Sequence, residues 1–179
     1  MKPNSRVFHR NLALWIALPL LVSIITGLIY RVGRSWFGMT KPTGSRILEF
    51  HTGEWLGENF SHAYVLYTGL GLLLIVCTGA VLLLQKKSAS PARRFHRWVG
   101  TILLIPLFAT ATTGIAYHFG EKVLGFPEPV QNLLMDIHQG SWLGSQVRPF
   151  YILLLGLGLF YLIYTGLIFV FKMRQPRQT

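Results

Sequence analysis

The sequence predicts an all-α membrane protein. Its four transmembrane helices form two tandem helical hairpins related by a pseudo-two-fold axis along the membrane normal. Three observations predict this. Four apolar runs are long enough to cross a bilayer, the charged residues lie outside the interiors of those runs, and the second half of the chain repeats the first. Composition agrees: 51% of the 179 residues are hydrophobic and 13% are charged, where soluble domains carry about a quarter charged residues. Mean hydropathy is +0.45.

A spanning helix needs about 20 apolar residues. The runs at about 11–30, 63–84, 98–117 and 150–171 meet that length without an acidic residue, Lys or Arg in their interiors. Helices are the way an open chain satisfies its backbone in lipid. The first run is longer than a signal-peptide core and lacks a small-x-small cleavage site, so it reads as a retained helix. Pro19 and Pro106 fall mid-span in the first and third runs and predict mild kinks there. Between spans, Gly and Pro at 38–45 and 125–129 read as turns. The stretches 47–60 and 133–143 read as short outer helices. The lone Cys77 excludes a disulfide within the chain and reads as a small buried filler.

Charge gives the orientation. Lys2, Arg6 and Arg10 precede span one; Lys86, Lys87, Arg93, Arg94 and Arg97 link spans two and three; Lys172, Arg174 and Arg177 follow span four. These eleven basic residues share one side, with no acid among them. The other side holds six basic residues and all six acids. The positive-inside rule then places both termini in the cytoplasm, and the expected localisation is a bacterial inner or a photosynthetic membrane. The net charge of +11 therefore reports orientation, and nucleic acid is excluded as a partner in favour of the lipid bilayer.

The repeat has an offset of 87 residues and no gap: segment 6–84 laid on 93–171 gives 25 identities in 79 pairs. Arg6, Phe8, His9 and Arg10 recur as Arg93, Phe95, His96 and Arg97. Thr26-Gly27 and Tyr30 recur as Thr113-Gly114 and Tyr117. His51, Gly53, Trp55, Leu56 and Gly57 recur as His138, Gly140, Trp142, Leu143 and Gly144. Gly-Leu-Gly-Leu recurs at 69–72 and 156–159, and Thr78-Gly79 as Thr165-Gly166. Both hairpins start on the same side, so the repeat is parallel.

Four of the six histidines form repeat-related pairs. His9 and His96 open spans one and three on the inner side; His51 and His138 precede spans two and four on the outer side. Two imidazoles facing each other across a two-fold axis can ligate a haem iron from both sides, between the helices of a bundle. The reading is two b-type haems, one near each face, with His9, His96, His51 and His138 as iron ligands. His9 and Gly27 are 18 residues apart, about five turns or 27 Å along one helix face. Gly27 and Gly114 then lie at the depth of the outer haem, where a residue without a side chain admits a flat macrocycle. Arg10 and Arg97 are candidates to neutralise inner propionates, though a plain positive-inside charge explains them equally well. His62 and His118 have no repeat partner of their kind, and read as interfacial residues or a substitute ligand pair. Trp55 and Trp142 read as interface anchors.

Phe95-His96-Arg97-Trp98-Val99-Gly100, followed by Thr113-Gly114 and Glu121, resembles the opening helix of PepSY-associated transmembrane proteins. Phe50-His51-Thr52-Gly53-Glu54-Trp55-Leu56-Gly57, with the downstream Gly-Leu and Thr78-Gly79, resembles the next helix of that family. The resemblance covers nearly the whole chain, once per half. It implies a membrane reductase that carries b-type haems and moves electrons across the inner membrane, with His9, His51, His96 and His138 as ligands. The outer loops, about 31–62 and 118–149, are too short for the extracytoplasmic PepSY domain. The chain thus reads as a minimal module, which weighs against siderophore reduction and a peptidase-inhibitor role.

No Gly-x-Gly-x-x-Gly before a helix, P-loop or His-Glu-x-x-His is present, and no catalytic residue is assigned. As a transmembrane oxidoreductase the chain has no flavin or nicotinamide site of its own. Its expected partners are an external donor (a quinol or a cytoplasmic reductase), an outer-side acceptor such as a ferric compound, and a larger membrane complex. The competing readings are a non-redox membrane subunit or assembly factor and, less well supported, a transporter, which would need an intramembrane carboxylate the spans lack.

Overall fold

The computed structural model describes residues 5–85 and 90–174. Its regular elements are helical throughout: α1 (Ser5–Trp36), α2 (Lys41–Thr52), α3 (Glu58–Leu84), α4 (Pro91–Phe119), α5 (Glu128–Gln139) and α6 (Arg148–Arg174). Short 3-10 turns at Glu54–Leu56 and Ser141–Leu143 follow α2 and α5, and a π-helical turn, Gly120–Leu124, closes α4. Helices α1, α3, α4 with its π turn, and α6 are long and apolar enough to cross a membrane. They are the spans of an integral membrane protein. Lys2, Lys86, Lys87 and Arg177 lie outside the described residues.

Each span extends beyond its apolar run. Hydropathy falls where polar side chains begin, but backbone hydrogen bonding continues, and Arg or Lys stems can lie along the apolar surface. The outer helices begin earlier than 47 and 133. Pro42 lies in the first turn of α2, where a missing N–H costs nothing. Thr40 caps that turn, its Oγ1 accepting from the Thr43 N–H at 3.4 Å. Residues 41–45 are therefore helix, not turn. Helix α2 ends at Gly53 and α5 at Gly140, with φ of +79° and +67°. A side chain is disfavoured there by backbone and by space: a Cβ on Gly53 would lie 3.0 Å from the Tyr64 ring, and one on Gly140 would meet Tyr151. His51 and His138 thus occupy the last turn of α2 and α5.

The spans run antiparallel to their neighbours. His9 at the start of α1 meets Thr78 near the end of α3, and the rings of Trp36 and Phe150 lie 5.1 Å apart at the other end of the α1–α6 seam. Helix α1 packs on α3 and α6, and α4 packs on the same two. The mid-bundle core takes matching positions from both halves: Leu20 and Leu107, Ile24 and Ala111, Leu72 and Leu159. The glycines at 69, 71, 156 and 158 let neighbouring helices approach. A Cβ on Gly71 would lie 2.7 Å from Ile16 of α1, and one on Gly156 would lie 2.7 Å from Leu28 of α1.

Large apolar side chains cover the outside: Trp15 is 77% exposed, Ile105 75% and Leu154 69%. Burial in lipid, not water, makes that surface stable. Cys77 is also exposed on α3 rather than buried. Because α3 is apolar round its circumference, its pattern does not reveal which face is inward. Helix α1 continues through Pro19. That proline removes the donor for the Trp15 carbonyl, and the Tyr67 hydroxyl donates to it instead at 2.9 Å.

Candidate functional site

The four repeated histidines fall into two levels, named inner (His9 and His96) and outer (His51 and His138) after the orientation expected from charge, and each ring is held through Nδ1. On the inner level, His9 Nδ1 lies 2.8 Å from Thr78 Oγ1, and His96 Nδ1 lies 2.6 Å from Thr165 Oγ1. Both contacts join residues 69 apart in sequence. Each threonine donates its one hydroxyl proton to a carbonyl of its own helix, Thr78 to Leu74 and Thr165 to Tyr161, both at 2.8 Å. The threonine oxygen is left to accept, so Nδ1 carries the imidazole proton and Nε2 the lone pair.

On the outer level, His51 Nδ1 donates to the Ser23 carbonyl at 3.0 Å, and His138 Nδ1 donates to the Thr110 carbonyl at 2.9 Å. A carbonyl only accepts, so the tautomer is again Nδ1–H. The rings rest on glycine. A Cβ on Gly27 would lie 3.3 Å from His51 Cε1, and one on Gly114 would lie 2.8 Å from His138 Cε1. Gly27 and Gly114 thus each stand directly against an imidazole ring. Surrounding protein pushes both outer rings below the ordinary histidine value. For His138 the value falls to about 4, with the nearby His51 adding to the drop and the Thr110 carbonyl opposing it. Both rings are neutral at pH 7, the form that ligates a metal.

All four rings therefore share one state: Nδ1–H engaged, Nε2 without a hydrogen-bond partner among the described residues. Metal-bound histidines have this arrangement, because an acceptor on the far nitrogen fixes the tautomer and raises ligand basicity. Among the described residues, no group of three or more His, Cys, Asp or Glu gathers to hold a bare metal ion. The four imidazoles, His9, His96, His51 and His138, are the residues that could hold an iron carried in a macrocycle.

The remaining candidates are placed as follows. Arg97 donates to the Leu83 carbonyl at 3.0 Å, at the last turn of α3. Arg10 is half-buried beside His9. His62 Nδ1 and His118 Nε2 are 2.9 Å apart and hydrogen-bonded to each other. Trp55 and Trp142 are exposed. No family model, curated protein or solved structure matches the chain.

Sequence reasoning missed the holders of the rings. Thr78 and Thr165 were visible as a duplicated Thr-Gly without a role; their constant distance from His9 and His96 was the available signal. The carbonyls of Ser23 and Thr110 leave no side-chain signature.

Proposed function

We propose that the protein is a di-haem b-type membrane electron carrier, with His9 and His96 ligating an inner haem and His51 and His138 an outer one. The observation that carries the reading is the duplicated second-nitrogen contact at both levels, which gives four Nε2 lone pairs in two repeat-related pairs. Packing supports the two-fold relation: α1 and α4, the repeat mates, both touch α3 and α6. A bound b-type haem supplies a one-electron iron couple at each level. The chain's own residues fix the imidazole tautomers, seat the outer rings on glycine and fill the space between levels with an apolar core.

In this reading both termini are cytoplasmic, in a bacterial inner or photosynthetic membrane. Electrons come from a quinol or a cytoplasmic reductase and leave to an outer-side acceptor such as a ferric compound. Membership of the PepSY-associated transmembrane family, in a minimal form, belongs to the same proposal and rests on the His-x-Gly and Thr-Gly motifs.

The test is a reduced-minus-oxidised spectrum of protein produced with ample haem, with a pyridine haemochrome count. Two equivalents of haem b per chain are expected. Absence of a Soret band overturns the reading and favours a non-redox membrane subunit or assembly factor.

A further inference from the structure

The two halves of the repeat match at the histidines and differ in charge at the outer ends of the spans. On the α1–α6 seam stand Arg31, Arg34 and Arg148. Their repeat counterparts are His118, Glu121 and Ser61, on the α3–α4 seam. That second seam is balanced: Lys122 pairs with Glu54 at 3.4 Å, the one ion pair among the described residues, and His118 bonds His62. The first seam is not balanced. Arg31 lies within electrostatic range of both Arg34 and Arg148. Against three guanidiniums stands one acid, Asp136, within range of Arg148 but not paired with it. Arg148 Nε is buried and finds no hydrogen-bond partner among the described residues. A buried guanidinium nitrogen without an acceptor keeps its full desolvation penalty, and like charges gathered at a low-dielectric edge repel. The cluster lacks an anion.

Its position says which one. Arg31 is one helical turn beyond Gly27, which seats His51. Its Nη2 donates to Oε1 of Gln139, the residue after His138. The Arg31 guanidinium therefore links the seats of both outer histidines. Its plane also lies over Tyr30, 5.6 Å from the ring centroid, which holds it at the seam. A planar ligand carrying two carboxylates, held between His51 and His138, would present them to guanidiniums that match carboxylate geometry.

We propose that Arg31 and Arg148, with Arg34 beside them, form a carboxylate site that receives the propionates of the outer haem and fixes it in one orientation, propionates toward the α1–α6 seam. This rests on the haem reading above. The same chemistry would accept a free carboxylate from the outer solution, and the experiment separates the two sources.

The full chain in nanodiscs, stripped of haem, is titrated with haemin and with haemin dimethyl ester, whose propionates are masked. The outer equivalent is identified as the one absent in His51→Ala. In wild type the ester is expected to bind the outer site about tenfold or more weakly than haemin, the loss of one charge-assisted hydrogen bond. Arg31→Gln with Arg148→Gln should bind both forms alike, near the weaker level, and should lower the outer midpoint potential because positive charge disfavouring ferric iron is removed. Arg31→Lys with Arg148→Lys should recover part of both effects. Inner-site uptake reports that each variant has folded. Equal binding of haemin and ester by wild type overturns this inference alone. So does added glutarate that shifts the outer potential in wild type while the two haem forms bind alike, since it assigns the site to a free carboxylate. Absence of uptake at either site overturns the haem reading as well.

Discussion

The inner and outer histidine levels draw on the same dipeptide, Thr-Gly, to different degrees. At the outer level, the Thr-Gly of α1 and of α4 faces a ring delivered by a separate short helix. Gly27 and Gly114 give the ring room, and a backbone carbonyl is the nearer acceptor of its N–H, with Thr26 Oγ1 a longer contact of His51 Nδ1 at 3.3 Å. At the inner level, the ring sits on a span and reaches the Thr-Gly of the next span. There Thr78 or Thr165 accepts the hydrogen bond; a Cβ on Gly79 would stand 3.5 Å from His9 Cε1, and one on Gly166 would meet nothing within 4 Å. One motif thus serves chiefly as a steric seat in one place, where Thr26 is only a longer contact, and as the hydrogen-bond acceptor in the other. Similar residues at two sites do not imply similar sensitivity to mutation.

The largest effects come from removing a ring. His51→Ala and His9→Ala should each lower the haem count from two to one, the first removing the outer haem and the second the inner. Pyridine haemochrome together with low-temperature α-band spectra checks this. Two equivalents retained in both variants would sink the ligand assignment and dissolve the comparison of levels.

The steric seat comes next. At Gly114 an added methyl would lie 2.8 Å from Cε1 and 3.1 Å from Nδ1 of His138, so the ring or helix α5 must shift. Gly114→Ala should displace the outer haem and lower stability by about 1–3 kcal/mol, the usual range for overpacking. At Gly27 the nearest approach is 3.3 Å, so Gly27→Ala should keep the haem and change mainly the low-spin ferric EPR signal. Thermal unfolding with haem retention measures both. Equal tolerance at the two glycines would show that the outer rings are not seated there.

Four spans, their order and the paired histidines were legible because hydropathy and duplication act over long stretches and survive local divergence. Shorter-range features were not. Cys77 was misplaced because α3 is apolar on every face, so no periodicity marks its inward side. The starts of α2 and α5 were set late because proline in a first turn looks like a turn in sequence. The ring holders of the outer level are backbone carbonyls, which every residue possesses. Arg31 and Arg148 read as scattered outer charges until the α1–α6 seam brings them together, from positions more than a hundred residues apart.

The acceptor role of the inner threonines predicts a smaller loss that is specific to one level. Thr78→Val keeps the shape and removes the oxygen, leaving the His9 Nδ1–H buried without a partner. The expected cost is about 1–3 kcal/mol and a roughly 10–100-fold fall in inner haem affinity, as for other second-nitrogen partners of metal-bound histidines. Thr165→Val should act alike on His96, and the outer haem should be untouched by either. Thr78→Ser should restore most of the affinity. Equal loss from the serine and valine variants would mean that the methyl packing, not the oxygen, holds the ring.

The smallest effect is the sharpest test of the asymmetry. Gly79→Ala and Gly166→Ala alter the same motif as Gly27 and Gly114, yet the added methyl meets ordinary contact distance in one case and open space in the other. Alanine also suits a helix better than glycine by up to about 1 kcal/mol. Both variants should keep two haems, with inner potentials and stability near those of wild type. If either lost the inner haem as Gly114→Ala is expected to lose the outer, the inner glycine would be a seat after all. The difference in roles within Thr-Gly would then give way to one shared design at both membrane faces.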